Sequence, residues 1–414
     1  KSPTVRPACG NLRFGLPRID SYFSRFGNPK SPLKVQRTEQ PWGNTNVWRL
    51  KSLCALHGSD HAEQKIFYSV GVGTARDERF RGGAFGFGID DVVVAAYLWL
   101  EENYEGGDEV FVLGFSRSAY TARSLAGLVS RCGLISLGAP LSVKQLYDRY
   151  RRGNDVKTIR GLLEVQDRSG FDTEERWIVQ YCLPIDIKFI GVWDTVAALA
   201  NDVHLTALTG GDHLFLDANL RKSERHAYHA LAIDEDRKVY DATLFTIYAD
   251  KTQPFTQPRN IGDVEQPWFC GSHGDVGGGN YSDLVAQIPL KWLMSKAKLH
   301  GLTFRQDISV DSGAYAAALY DSFDDRDVPD VLQKVFLQRG ARYWREIDRA
   351  PEPRTQTNVH TINESIDKSV FERCRADPKY RPQNLANWAQ KHGITLTNVM
   401  TSIRADDPST IVPD

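Results

Sequence analysis

Long hydrophobic runs are absent from the 414-residue sequence, in which no stretch approaches the ~20 apolar residues that a membrane-spanning helix needs. An excess of charge is also absent, because 51 basic residues balance 52 acidic ones and leave a formal net charge of -1. Without a strong overall field, the chain is not expected to attract nucleic acid or an anionic membrane. We therefore expect no nucleic-acid partner, and we expect any membrane contact to be local and peripheral.

The cysteines lack both a C-x-x-C pair and the spacing of a zinc site. We expect them to be mostly buried thiols in a reducing compartment, and we expect no cofactor. A glycosylation sequon at Asn280 falls in a predicted active-site loop, which also favours the cytoplasm. The chain begins with Lys1, so a removed leader and secretion stay open as an alternative. The six cysteines are Cys9, Cys54, Cys132, Cys182, Cys270 and Cys374.

The composition is that of a globular protein without internal repeats or low-complexity tracts. Hydrophobic residues make up 41% of the sequence and charged residues 25%, which is ordinary for a folded domain. The length permits one large α/β domain with insertions or two smaller domains. We predict an N-terminal arm at 1–40, an α/β core at 41–302 with a lid insertion around 196–245, and a C-terminal helical and loop extension at 303–414 that packs on the core.

Strand and helix patterns alternate along the predicted core. This alternation predicts an α/β fold with a mostly parallel sheet flanked by helices. His229 falls in HALAID, a run that we interpret as a helix with a packed or capping histidine. The predicted strands are 65–70, 109–113, 188–193 and 264–271, with Pro267 taken to mark an irregular or edge position. The predicted helices are 46–55, 89–100, 119–128 and 282–299, with 328–345 the best in the extension.

Ser116 lies on the predicted turn between a buried strand and a helix, within Gly114-Phe115-Ser116-Arg117-Ser118. This is the geometry of a nucleophile elbow, in which the helix N-terminus offers free N–H groups to a developing oxyanion. The pattern departs from G-x-S-x-G because Ser118 replaces the last glycine. The alternative interpretation is an ordinary strand that ends in a serine N-cap.

Two further residues follow predicted strands in the chain order that α/β-hydrolases use. Asp194 stands at the end of the strand at 188–193, and His273 stands on a glycine-rich loop after the strand at 264–271. Because the carboxyl ends of parallel strands share one edge of a sheet, both residues are expected near Ser116. The order serine, aspartate, histidine indicates a catalytic triad. Taken singly, Asp194 could be an N-cap and His273 a structural histidine.

A glycine-rich segment at 80–88 contains Gly82 and Gly83 before a predicted helix. Its bare N–H groups could approach a phosphate or an oxyanion, or the segment could be a tight connection, which we favour for a lone glycine-rich stretch. Asp275, two residues after His273, is a candidate substrate or loop residue.

Four stretches together resemble one known family. They are RGGAFGFGID (81–90), GFSRSAYTARSLAG (114–127), KFIGVWDTV (188–196) with HALAIDEDR (229–237), and WFCGSHGDVGGGNYSD (268–283). The sequence resembles the α/β-hydrolase domain family that includes the first group of type VI secretion phospholipase effectors, the Tle1-like catalytic domain. The resemblance runs from about 45 to about 385. It implies an esterase or phospholipase whose serine, aspartate and histidine fall on Ser116, Asp194 and His273.

Two departures from that family pattern concern activity. Ser118 stands where the elbow glycine is expected, and T-N-V at 45–47 lacks the Asp-Gly-Thr segment that the family places upstream. The nearest candidate for that segment is Arg18-Ile19-Asp20-Ser21. The departures motivate an alternative in which the chain is a non-catalytic or weakly active binding member of the fold.

The favoured hypothesis is a serine hydrolase that cleaves carboxylic esters, with a lipid substrate implied by the resemblance. Ser116 would attack the carbonyl, His273 would carry the proton, and Asp194 would hold the imidazole. The backbone N–H of Arg117 would be one oxyanion donor, with a second that is not placed. A less favoured alternative is a metal-dependent phosphoesterase built on His273 and Asp275, for which no further ligand cluster has recognisable spacing.

Overall fold

The computed structural model describes residues 44–59, 61–69, 89–196, 220–248, 260, 262–280, 284–321, 342–349, 353–354 and 357–413. The predicted arm at 1–40, the glycines Gly82 and Gly83, and residues 197–219 of the predicted lid lie outside the described residues. The helices within the described ranges are α1 (Asn46–Leu53), α2 (Ile89–Asn103), α3 (Arg117–Cys132), α4 (Val143–Arg151), α5 (Ile159–Leu163), α6 (Thr173–Tyr181), α7 (His273–Gly277), α8 (Gln287–Leu299), α9 (Lys368–Ala376) and α10 (Gln383–His392).

A six-stranded sheet organises the described residues. Its order is β1-β4-β5-β7-β10-β11, in which the first five strands are parallel and β11 runs antiparallel to β10. This is the mostly parallel α/β architecture that the sequence predicts. The strands are β1 (Val110–Phe115), β2 (Leu134–Ile135), β3 (Cys182–Leu183), β4 (Ile187–Trp193), β5 (Glu224–Ala232), β6 (Thr246–Tyr248), β7 (Val264–Phe269), β8 (Pro353–Arg354), β9 (Thr357–Thr361), β10 (Glu364–Ile366) and β11 (Ile403–Arg404).

Side chains of β1 alternate between two apolar layers, one on each face of the main sheet. Val110 and Val112 belong to the layer that contains α2 and α3, whereas Phe111 and Leu113 belong to the layer that contains Leu293 of α8. Successive side chains of a strand point to opposite faces, so a strand covered on both faces is a continuous apolar run. The helices flanking the sheet thus explain why VFVL is so clear a strand signal.

The predicted helix around His229 is wrong, because residues 224–232 form β5 in the middle of the sheet. β5 pairs in parallel with both β4 and β7, and its residues from Ala227 onward are buried. Small apolar residues in an unbroken run suit a buried strand as well as a helix, and periodicity alone does not separate the two.

Two smaller predictions also differ from the structure, and the prediction of an irregular or edge position at Pro267 holds only in its first part. Lys65–Ser69, the described part of a predicted strand, is not in a strand, and residues 342–345, the described end of a predicted helix, are not helical. Pro267 does not mark an edge, because β7 lies between β5 and β10. The ladder between β7 and β5 pairs Glu265 and Trp268 but skips Pro267, so the missing N–H is accommodated by a local irregularity.

Residues beyond 302 contribute to the sheet itself, since β10 and β11 extend it past β7. The predicted boundaries between arm, core, lid and extension stay predictions. The five described cysteines are free thiols and are buried, as the sequence predicts. In the described part of the chain, no helix is both long and apolar enough to cross a bilayer.

Candidate active site

Ser116 occupies a strained turn between β1 and α3. Its backbone angles are φ 59° and ψ -126°, in a region that non-glycine residues rarely adopt. The Ser116 N–H donates to the carbonyl of Trp193 on β4 at 3.1 Å, which ties the turn to the sheet. A Cβ on Gly114 would lie 2.4 Å from the backbone oxygen of Ser118, so only glycine permits this close approach of strand and helix.

His273 lies at the first position of α7, immediately after β7. Its Nε2 atom is 2.8 Å from Ser116 Oγ, and its Nδ1 atom is 2.6 Å from Asp194 Oδ2. Only 9% of the His273 side chain is exposed, which limits competition from water. The structure therefore joins three predicted site residues in one hydrogen-bonded row, Ser116, His273 and Asp194, although they are far apart in sequence.

Asp194 stands at the end of β4 with a φ of 38°, and it is fully buried. Its Oδ1 atom accepts a hydrogen bond from the Ala232 N–H at 2.9 Å, so β5 also fixes the carboxylate. Burial alone would raise the pKa of Asp194, but the charge of Arg345 and the hydrogen bond from His273 hold that pKa well below its usual range. The carboxylate is thus ionised in the folded protein at neutral pH.

Arg345 is the site residue that the sequence analysis missed. Its side chain is 1% exposed, with Nη1 2.7 Å from Asp194 Oδ1 and Nη2 2.9 Å from Asp194 Oδ2. Such a bidentate pair is the strongest form of an arginine–carboxylate interaction. No motif surrounds Arg345 in the sequence, and the pattern at 328–345 predicts a helix. Only a contact map between distant residues could have identified it.

Aromatic and charged side chains hold the imidazole of His273 from several directions. The ring of Phe115 lies 4.6 Å from the His273 ring, and Tyr240 meets it edge-on at 4.9 Å. The backbone N–H of His273 donates to buried Glu235 at 3.2 Å. Glu235 also pairs with Arg237, whose guanidinium lies 3.7 Å from the centroid of the Tyr240 ring. The ring orientation is therefore fixed by packing as well as by Asp194.

Asp275 supports α7 and does not contact the hydrogen-bonded row. Its Oδ2 atom accepts hydrogen bonds from the Ser272 N–H at 3.0 Å and from the Tyr320 N–H at 3.1 Å, and Asn280 reaches Oδ1 at 3.3 Å. Burial raises the pKa of Asp275. Within the described ranges, no three His, Cys, Asp or Glu side chains group in a way that could hold a metal ion.

The backbone N–H of Arg117 is the first of α3 and has no acceptor within its own helix. The carbonyl of Ser116 accepts from the N–H groups of Ala119 at 3.1 Å and Tyr120 at 3.2 Å, which sets the direction of the first helical turn. Arg117 is therefore placed beside Ser116 at the positive end of the helix dipole. Gly82 and Gly83, in the glycine-rich segment considered as another donor, lie outside the described residues.

His229 has a structural place near the site. It is fully buried, and its Nε2 atom accepts a hydrogen bond from the Thr195 N–H at 2.9 Å. Burial lowers the pKa of His229 to about 3, so the ring is neutral. Asn46 of the T-N-V motif has a similar role, since its Nδ2 atom donates to the carbonyls of Val276 and Ala286, each at 2.9 Å. The motif thereby pins the chain that follows His273.

The fold and the row of three side chains define an α/β protein of α/β-hydrolase type. Residues 33–296 match the model of a family described as "T6SS, Phospholipase effector Tle1-like, catalytic domain". The match covers more than half of the chain, so the chain belongs to this family of phospholipase-like proteins.

Three known proteins share similarity with the chain. An uncharacterized protein of Saccharomyces cerevisiae, YEL023C, is 29% identical over 243 residues, which are 54% of this chain and 33% of that protein. The crystal structure of an uncharacterized protein from Pseudomonas aeruginosa matches 71% of this chain and 46% of its own length. The identity is 16% and the TM-score is 0.40. A structure of the Tle1 effector bound to the VgrG spike of the type 6 secretion system matches 66% of this chain and 52% of its own length. The identity is 17% and the TM-score is 0.32. The chain thus spans between a third and about half of these relatives.

Proposed function

We propose that this chain is a serine hydrolase that cleaves carboxylic esters through Ser116, His273 and Asp194. The observation that carries the proposal is the hydrogen-bonded row, 2.8 Å from Ser116 Oγ to His273 Nε2 and 2.6 Å from His273 Nδ1 to Asp194 Oδ2, set on a strained strand-to-helix turn. These are the contacts that an activated serine nucleophile requires.

In the proposed reaction, Ser116 Oγ attacks the ester carbonyl carbon while its proton passes to His273 Nε2. The carbonyl oxygen becomes an oxyanion that accepts a hydrogen bond from the Arg117 N–H. The C–O bond to the alcohol then breaks, and His273 returns the proton to the departing oxygen. Water attacks the acyl-enzyme with His273 again as base, which releases the carboxylic acid and restores Ser116.

Asp194 supports both steps by accepting the Nδ1–H of His273, which leaves Nε2 free to face the serine. A carboxylate that stays ionised also stabilises the imidazolium formed after each proton transfer. The low pKa of Asp194 suits this role, because no proton on the carboxylate competes with the histidine.

Membership of a phospholipase family favours a lipid ester as the substrate. We propose that the chain approaches lipid by a local, peripheral contact, since its formal net charge of -1 supplies no general attraction to an anionic surface. Catalysis needs no metal or other cofactor in this scheme, because the serine, the histidine and the aspartate account for every proton and bond.

The test is labelling with a fluorophosphonate probe, run beside hydrolysis of short-chain and long-chain esters. Ser116→Ala and His273→Ala should each lower turnover by roughly 10⁴–10⁶-fold, the range measured when such residues are removed. Both variants should also lose the label, and mass spectrometry should place the native label on Ser116. The chain-length profile reports whether long acyl chains are preferred.

Matched controls are Ser169→Ala and His57→Ala, which remove the same side chains from exposed positions. Both controls should label and turn over like the native protein. A folded native chain that neither labels nor hydrolyses any ester would refute the proposed function and would leave the non-catalytic alternative standing.

A further inference from the structure

Arg345 forms a buried bidentate ion pair with Asp194, the carboxylate of the hydrogen-bonded row. We propose that Arg345 is a positioning residue for ester hydrolysis, which fixes the Asp194 carboxylate against His273 and keeps it charged. This inference rests on the function proposed above, and it assigns a role to a residue outside the serine, histidine and aspartate themselves.

The geometry of the ion pair fixes the orientation of the Asp194 carboxylate. A guanidinium is planar and holds both carboxylate oxygens at once, so it fixes the plane of the carboxylate as well as its position. Nη1 and the Ala232 N–H both donate to Oδ1, whereas Nη2 and His273 Nδ1 share Oδ2. The carboxylate therefore has one orientation in which all four donors are satisfied, and that orientation places Oδ2 2.6 Å from His273 Nδ1.

Arg345 is itself held in place. Nη1 also donates to the Ala232 carbonyl at 2.8 Å, and Nη2 donates to the Tyr240 carbonyl. On either side, the Tyr343 N–H donates to the Asp236 carbonyl at 2.8 Å, and the Asp348 N–H donates to a Glu364 carboxylate oxygen at 3.2 Å. Both Nη atoms of the guanidinium are anchored, and the backbone is anchored on either side of Arg345, so the side chain can impose geometry on its partner.

The charge of Arg345 keeps the Asp194 carboxylate ionised. Asp194 is fully buried, and burial without a compensating cation disfavours the ionised carboxylate. Arg345 provides that cation, and its charge is the largest of the influences that lower the pKa of Asp194. In the described part of the chain, the charged or titratable groups around the pair include His273 at the start of α7, His229 on β5, and Glu235 and Asp241 in the chain that follows β5, with Arg237 paired to Glu235.

The position of Arg345 in the chain adds to its interest. The family model matches residues 33–296, so Arg345 lies about 50 residues beyond the matched region. The serine, the aspartate and the histidine all lie within it. On this proposal, the matched region supplies Ser116, His273 and Asp194, and the segment 342–349 supplies the cation that orients Asp194.

The experiment compares Arg345→Met and Arg345→Lys with the native chain. Arg345→Met should lower kcat by about 10–100-fold, the usual cost of losing a partner that orients a functional side chain. KM should stay within about twofold, because Arg345 does not touch the substrate in this proposal. Without the cation, the pKa of Asp194 rises, so the acid limb of the kcat profile, which reports the Asp194–His273 pair, should move to higher pH.

Arg345→Lys separates charge from geometry. A lysine keeps the positive charge but cannot hold both carboxylate oxygens, so the acid limb should stay near its native pH while kcat still falls by about tenfold. The matched control is Arg160→Gln, which removes a cation from α5, where it pairs with Asp186 at 2.8 Å. The control should keep the native kcat and the native pH profile.

Either of two results would overturn the proposal, namely a folded Arg345→Met variant with native kcat and acid limb, or an Arg345→Lys variant with native kcat. Should Arg345→Met fail to fold, Arg345→Lys alone decides. A native chain without esterase activity would instead refute the proposed function. In that case the positioning role of Arg345 is tested by NMR, through the far-downfield signal of the His273 Nδ1 proton, which is assigned by its loss in His273→Ala. The signal should shift in Arg345→Lys. An unchanged signal would refute the proposal that Arg345 positions Asp194 against His273.

Discussion

The two ends of the hydrogen-bonded row are built in different ways. The Ser116 end is made by neighbours in sequence, in which a strand, a turn and a helix follow one another from Val110 to Cys132. The Asp194 end is made by residues far apart, since Arg345 lies 151 positions from the carboxylate that it binds. The Ser116 end depends on the close approach of strand and helix at Gly114, whereas the Asp194 end depends on a buried ion pair. Substitutions at the two ends should therefore fail in different ways.

Gly114→Ala tests the Ser116 end without removing a reacting group, and it should have the largest effect of the three substitutions at Gly114, Asp234 and Ser118. The new Cβ would lie 2.4 Å from the Ser118 backbone oxygen, and backbone cannot move aside as a flexible side chain can. We expect a loss of unfolding free energy of about 1–3 kcal/mol. We also expect turnover to fall about 10²-fold, because a shift of about 1 Å in a nucleophile costs that much. Chemical denaturation and ester hydrolysis measure the two effects.

The control for this substitution is Gly106→Ala, a glycine with nothing within 4 Å of the added Cβ. It should leave turnover unchanged and should not lower stability. If Gly114→Ala retained native turnover, the close approach of strand and helix would not be what places Ser116.

Asp234→Asn tests what a buried carboxyl does without a guanidinium of its own. Asp234 follows β5 as Asp194 follows β4, and its Oδ2 atom accepts from the Gly271 N–H and the Tyr380 hydroxyl, each at 2.6 Å. Burial raises the pKa of Asp234 to about 6, in contrast to the low pKa of Asp194. An asparagine oxygen can accept the same two hydrogen bonds without ionising.

The sign of the effect follows from the raised pKa. The folded state binds the Asp234 proton more tightly than the unfolded state, so stability is full below about pH 4 and is lost as the pH rises through about 6. Well above pH 6, Asp234→Asn should therefore be more stable than the native chain by about 3 kcal/mol, and the difference should shrink toward pH 4. Denaturation curves from pH 4 to 8 measure this, with the exposed Asp148→Asn as the control. A difference independent of pH would show that Asp234 does not ionise in this range.

The same contrast explains what the sequence could predict. Ser116, Asp194 and His273 each follow a buried strand, and the edge shared by parallel strands predicts that they lie near one another. The sheet class, β1, β4, β7 and the helices that cover them also follow from apolar periodicity. These features are local or topological, so a single sequence contains them.

The features that were missed are long-range or ambiguous. Arg345 has no local signal, because its role depends on Asp194, which follows β4 and lies 151 positions away in the sequence. β5 was mistaken for a helix because a short run of small apolar residues fits both structures. Asp275 is a predicted substrate or loop residue because it is close to His273 in sequence. In the structure, its carboxylate instead accepts hydrogen bonds from the backbone N–H groups of Ser272 and Tyr320. Sequence spacing indicates nearness and does not indicate direction.

Ser118→Gly restores the glycine expected two positions after the nucleophile, and it should have the smallest effect of all. The close approach at the turn is already provided by Gly114, whose missing Cβ faces the Ser118 backbone and not its side chain. Ser118 lies in the first turn of α3, where a glycine costs up to about 1 kcal/mol in backbone entropy. We expect turnover within about threefold of native, a change of less than 1 kcal/mol in the barrier. A tenfold gain would instead mean that the serine strains the turn, so that the Ser116 end depends on more than the space at Gly114.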